Sequence, residues 1–191
     1  EVHGPIHVKV GDALNNIAAI RDEQGKAETA LELYNQAIKI FRKALGKYHP
    51  RVGDTFYNIA GVHLAKKDLD LAMDSYGKAL AIFQEARHPH AGLCLNNIAV
   101  VLEMQGRYEE SFLATKEALE VFEELLGPEH AQSLRLKRKL ARIKRRMSRR
   151  RSNVEEADAD AAAGGQRERG SIKRLSRSLR RSGASNLASQ R

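Results

Sequence analysis

The sequence predicts an all-α fold: a superhelix of three helical hairpins closed by a basic capping helix, with a disordered C-terminal tail. Three observations predict it. The pentapeptide LNNIA at 14–18 returns unchanged at 95–99 and as FYNIA at 56–60, so the copies start 42 and then 39 residues apart. A period of that size marks one supersecondary unit stacked on itself. Apolar residues at helical spacing accompany each copy, and all four prolines fall between the units.

Taken in chain order, residues 1–9 read as the remnant of an inter-repeat loop, because "GPIH" shares its form with "GKYHP", "RHPH" and "GPEH" further on. Three units follow, at 10–51, 52–90 and 91–130. Each opens on an amphipathic helix. Leu14, Ile17, Ala18 and Arg21 correspond to Phe56, Ile59, Ala60 and His63, and again to Leu95, Ile98, Ala99 and Leu102. These positions are i, i+3, i+4 and i+7, the spacing of a buried stripe. A second stripe completes each hairpin: Ala30, Tyr34, Ala37 and Phe41, then Ala72, Tyr76, Ala79 and Phe83, then Ser111, Thr115, Ala118 and Phe122. Gly25 and Gly106 sit between the two helices of their units, where a left-handed residue ends a helix, and Lys67 holds that place in the middle unit. Leu136, Leu140, Ile143 and Met147 then give residues 131–150 an apolar stripe that suits a cap over the last unit. From 151 to 191 Ser, Arg, Gly and Ala dominate, a composition that favours disorder.

Composition removes several function classes. No apolar run approaches the ~18 residues of a membrane span, and the first residues lack the basic-then-apolar layout of a signal peptide. The chain starts on Glu1 rather than Met, which fits a fragment or a processed chain. Its single cysteine, Cys94, fits a reducing compartment, so a cytoplasmic setting is expected, with cytoskeletal association and a nuclear setting as variants of it. No phosphate-cradling glycine loop, zinc-spaced Cys/His pair or nucleophile beside a base is present, so no enzyme, cofactor or metal is expected. His7, His49, His88 and His130 repeat with the units and read as loop or helix-cap ligands rather than as a metal set.

The residues quoted above resemble those of tetratricopeptide repeats, and the longer form "LNNIA…QGK…A…LY…A…LG..HP" is similar to that of kinesin light chains. The resemblance covers about residues 4–134. It implies a protein-protein interaction scaffold, an adaptor whose first helices line a concave groove for extended peptides. A kinesin-type motor complex would be reached through regions outside this chain, since the heptad coiled coil that joins the motor heavy chain is absent from it. Arg21 and His63 depart from the family, which usually has an aromatic there.

Within that groove the candidate peptide-binding residues are Asn15, Asn16, Tyr57, Asn58, Asn96 and Asn97, which lie off the apolar stripe. An asparagine can donate to a peptide carbonyl and accept from its amide. The alternative is that these amides tie neighbouring helices together. Asp12, Asp22 and Glu23 share the first unit's face, so a neutral or basic peptide, the chain's own tail among the candidates, is expected to fit better than an acidic one.

Charge divides the chain sharply. Residues 1–134 carry 14 Lys/Arg against 19 Asp/Glu, whereas 135–191 carry 19 against 5. The densest run is Arg135, Lys137, Arg138, Lys139, Arg142, Lys144, Arg145, Arg146, Arg149, Arg150 and Arg151, with no acid among them. It suits a solvated cap face, a nuclear-import signal, or contact with RNA or an anionic membrane through counterion release. The last gives an alternative function, a polyanion-associated protein with the repeats as scaffold. No aromatics interleave with the charges, which argues against base stacking. Ser148, Ser152 and Ser176 follow basic residues and are candidate phosphorylation sites.

Overall fold

The computed structural model describes residues 5–153 and contains α1 (Pro5–Glu23), α2 (Ala27–Leu45), α3 (Pro50–Ala65), α4 (Leu69–Glu85), α5 (His90–Met104) and α6 (Tyr108–Leu126). No strand occurs among the described residues. The chain divides into two compact units, 1–144 and 145–191. Residues 131–144 form α7 within the first, and 145–153 are helical in the second. The expectation of a disordered 151–191 tail falls outside the described residues from 154 onward, as does the candidate Ser176; residues 151–153 are helical.

Helix starts fall earlier than the repeat pattern placed them. Residues 5–9, read as loop, belong to α1, which opens on Pro5; a proline at the first helical position has its φ pre-set and no N–H to lose. Pro50 opens α3 in the same way. At three of the inter-unit loops the histidine acts as a cap: the Nδ1 atoms of His49, His88 and His130 accept from the backbone N–H two residues on, at 3.2, 3.3 and 3.2 Å. His7 lies inside α1. Gly25 and Gly106 take φ of 73° and 74°, and Lys67 is forced to 64° at the equivalent turn.

Each hairpin buries its second-helix stripe. Tyr34, Tyr76, Phe41, Phe83 and Phe122 are buried, and the alanines between them let the helices approach closely. In the third unit Ser111 and Thr115 stand in that stripe without cost, because their hydroxyls donate at 2.8 Å to the carbonyls of Ala99 and Ser111. The first helices then stack: Val52, Ile59 and Val62 of α3 pack into the Tyr34 and Phe41 cluster of the first unit.

That stacking explains one departure from the expected core. Ile17 was expected to be buried like Ile59, yet it is 44% exposed against 5% for Ile59. Ile59 packs onto the first unit's cluster, whereas among the described residues nothing covers the same face of α1. Val10 and Ile20 on the same face are exposed for the same reason. Leu14 and Ile98 are half-buried rather than fully so.

The capping helix proves to be a fourth copy of a first helix. His130 follows His88 by 42 residues, which sets Leu140 and Ala141 on Ile98 and Ala99, and Arg138 and Lys139 on Asn96 and Asn97. Leu136 and Ile143 are buried, and Leu136 packs with Leu95, Ala118 and Phe122.

Candidate functional site

Because the first helices lie side by side, their polar residues meet at three junctions: α1 with α3, α3 with α5, and α5 with α7. The asparagines run along all three as a ladder. Asn58 Nδ2 lies 3.4 Å from Asn15 Oδ1, Asn97 Nδ2 donates to the Tyr57 hydroxyl at 2.8 Å, and Lys139 Nζ donates to Asn96 Oδ1 at 2.9 Å and to its carbonyl at 3.0 Å. The candidate residues Asn15, Tyr57, Asn58, Asn96 and Asn97 are thus brought together in inter-helix bonds and remain partly accessible, while Asn16 is exposed. Burial lifts the Tyr57 hydroxyl above its ordinary pKa, against the lowering effect of its bond to Asn97.

A second bridge spans two junctions and fails at the third. Arg51 Nη1 donates to both Asp12 carboxylate oxygens at 2.7 Å, and His90 Nδ1 lies 2.9 Å from Asp54 Oδ1. The equivalent residues between α5 and α7 are Leu93 and Gln132, which cannot form an ion pair. Both instead line a cavity of about 360 Å³. Its apolar wall is Leu93, Val100, Phe122 and Leu136, and its cations are Arg135, Arg138, Lys139 and Arg142.

The electrostatics of this pocket are uneven. Lys139 has a side chain only 10% exposed, and burial pushes its amino group down to about 8; Glu103, 3.8 Å away, opposes the shift, whereas Arg142 and Arg135 add to it. Glu103 is itself 8% exposed and accepts from Arg142 Nη2 at 3.2 Å. Among the described residues Arg135 and Arg138 have no hydrogen bond or ion pair, so four cations face one carboxylate.

The remaining basic residues lie elsewhere. Lys137 is tied to Glu123 at 2.9 Å, Lys144 is exposed at the end of α7, and Arg145, Arg146, Arg149, Arg150 and Arg151 are exposed in 145–153 together with Ser148 and Ser152. Among the described residues no group of three His, Cys, Asp or Glu could hold a metal, and no helix is long and apolar enough to cross a membrane. Sequence reasoning missed Leu93, Val100, Phe122 and Gln132 as pocket residues, and Glu103 as the acid beside Lys139. The signal was the 42-residue step from His88 to His130, which places Lys139 on the asparagine ladder.

Hairpins of this length, stacked through small residues and joined by repeated polar bridges, define a helical repeat scaffold. The tetratricopeptide repeat family model matches residues 9–85 and 86–152, and the chain belongs to that family. The second match takes in α7, in keeping with its being a fourth first helix. Among solved structures, the fold is similar to BtubC (BKLC) from P. vanneervenii, with a TM-score of 0.63 at 20% identity over 72% of this chain and 55% of that one. It is similar to a kinesin light chain-like protein of Podosopora anserina with nearly identical repeats, with a TM-score of 0.59 at 20% identity over 72% and 66%. It also matches the first repeat domain of Spaghetti (RPAP3) bound to an HSP90 peptide, with a TM-score of 0.57 at 15% identity over 78% and 99%. The chain therefore has the tetratricopeptide fold, and it spans little more than half of BtubC and about two thirds of the Podosopora protein. The comparison with curated protein sequences finds no match.

Proposed function

We propose that this interaction scaffold binds an extended peptide along the polar face of its first helices, with acidic side chains of the peptide seated at the α5–α7 pocket. The observation that carries the proposal is the pocket itself: three cations in excess beside an apolar wall, opened where the bridge of the other junctions is missing. The asparagine ladder supports it by holding the first helices in fixed register, which lowers the ordering cost of binding. The Spaghetti repeat domain, of like fold, holds a peptide.

An acidic ligand differs from the neutral or basic one expected from Asp12, Asp22 and Glu23. Asp12 is compensated by Arg51, so the first unit offers a basic ligand less than its composition suggested. The test is a titration of the full chain with a short fluorescent peptide alternating Glu and Leu, against its Lys counterpart. The Glu peptide should bind more tightly, and Arg138→Glu should weaken it while Arg149→Glu does not. Equal binding of both peptides, or equal loss in both variants, would remove the pocket from the account.

A second reading rests on the exposed cations of 145–151, which suit a polyanion surface. Binding of the chain to RNA or anionic vesicles should then fall steeply from low to physiological salt. A flat salt response would leave those cations as a solvated surface.

A further inference from the structure

The α5–α7 pocket carries more positive charge than one peptide carboxylate can answer. Among the described residues, Arg135, Arg138, Lys139 and Arg142 stand together here, and Glu103 is the carboxylate paired with Lys139 and Arg142. A carboxylate would bring one negative charge and leave two cations uncompensated in a half-enclosed space. A phosphorylated side chain brings a charge of about −1.5 to −2 and three strong acceptor oxygens.

The arrangement of donors points the same way. Arg135, Arg138 and Arg142 lie at i, i+3 and i+7 of α7, on one face of the helix. Arg142 gives a single nitrogen, Nη2, to Glu103, and Arg135 and Arg138 have no partner among the described residues. Their guanidinium forks match phosphate oxygens in pairs. Lys139 is held by the backbone and side-chain oxygens of Asn96, with Glu103 3.8 Å away. Leu93, Val100 and Phe122 provide a dry wall for an apolar residue next to the phosphate. At the other two junctions the places of Leu93 and Gln132 are taken by the paired Asp12 and Arg51 and by the paired Asp54 and His90.

We propose that the α5–α7 pocket is a phosphate-recognition subsite that takes a phosphoserine or phosphothreonine side chain of the bound peptide. The proposal rests on the peptide-binding reading above and names the ligand chemistry at its anchor. No covalent step is involved: the chain would read a modification made by another protein.

Two probes of the full chain test it. Inorganic phosphate, compared with chloride at equal ionic strength, should shift the backbone amide resonances of Leu93, Asn96 and Val100. A leucine-flanked peptide with a central phosphoserine should bind at least about tenfold more tightly than the same peptide with Glu or Ser there, as expected for bidentate charge-assisted bonds. Arg135→Gln and Arg138→Gln should each remove that preference without lowering the melting temperature, since among the described residues neither side chain makes a hydrogen bond or ion pair. Arg149→Gln and Arg151→Gln should leave it intact. Equal affinity for the phosphoserine and Glu peptides overturns phosphate recognition and leaves the acidic-peptide reading standing. Phosphate shifts with no peptide binding overturn the peptide reading and reduce the pocket to a bare anion site. Absence of both overturns the two together.

Discussion

Lys67 takes a left-handed φ of 64° at a turn where the first and third units place glycine. A side chain in that conformation is strained by about 1 kcal/mol. Lys67→Gly should therefore raise stability by a sizeable part of that figure, read as a shift in the urea midpoint with unchanged slope. Lys139 offers a second test at the same scale. Its amino group is pushed from an ordinary 10.5 down to about 8 in the fold, so between these values the unfolded chain binds more protons and stability rises with pH. The penalty is complete below the folded value and fades through it as pH increases. That upward slope between pH of about 8 and about 10 should disappear in Lys139→Met, where no amine titrates. Cys94 is a third case: burial raises its thiol to about 12, so alkylation of the native chain should be slow and should accelerate only on unfolding.

Helices and their junctions were legible in the sequence to very different degrees. The stripes through Tyr34, Tyr76 and Phe122 were readable because a 3.6-residue period has one physical meaning, and three copies agree on it. Helix starts were not, because Pro5 and Pro50 look like loop residues until they are seen opening a helix. The exposure of Ile17 was not legible because its stripe has the same spacing as that of Ile59, and what separates them is whether a described helix packs over the position. The two positions should respond differently to the same change. Ile59→Ala should cost ~2 to 5 kcal/mol as a core truncation, whereas Ile17→Ala should stay within ~0.5 kcal/mol, both measured by urea unfolding. The pocket was the least legible feature. It depends on what Leu93 and Gln132 fail to do across a gap of 39 residues, and a missing ion pair leaves no motif. The asparagines stand out in the sequence because packing does not account for them, but their partners could be found only from the register between helices.

Across the whole first unit the contacts run along the chain, each helix on the next, with α1 also reaching α3. Stability in such an array is a sum over hairpins and their interfaces, and a local change at one junction is felt mainly there. That property makes the functional account open to a direct test, because the α5–α7 junction can be rebuilt to copy its neighbours. The double variant Leu93→Asp with Gln132→Arg restores the bridge that Asp12 and Arg51 form between α1 and α3. The measurement is the affinity of the Glu/Leu peptide for this variant beside the unaltered chain, with thermal melts of both. The account expects the double variant to stay folded, with a melt lowered by the lost packing of Leu93, and the affinity of the folded chain to fall by at least about tenfold, as a closed junction displaces the ligand from its cations. Unchanged affinity in a folded double variant would contradict it.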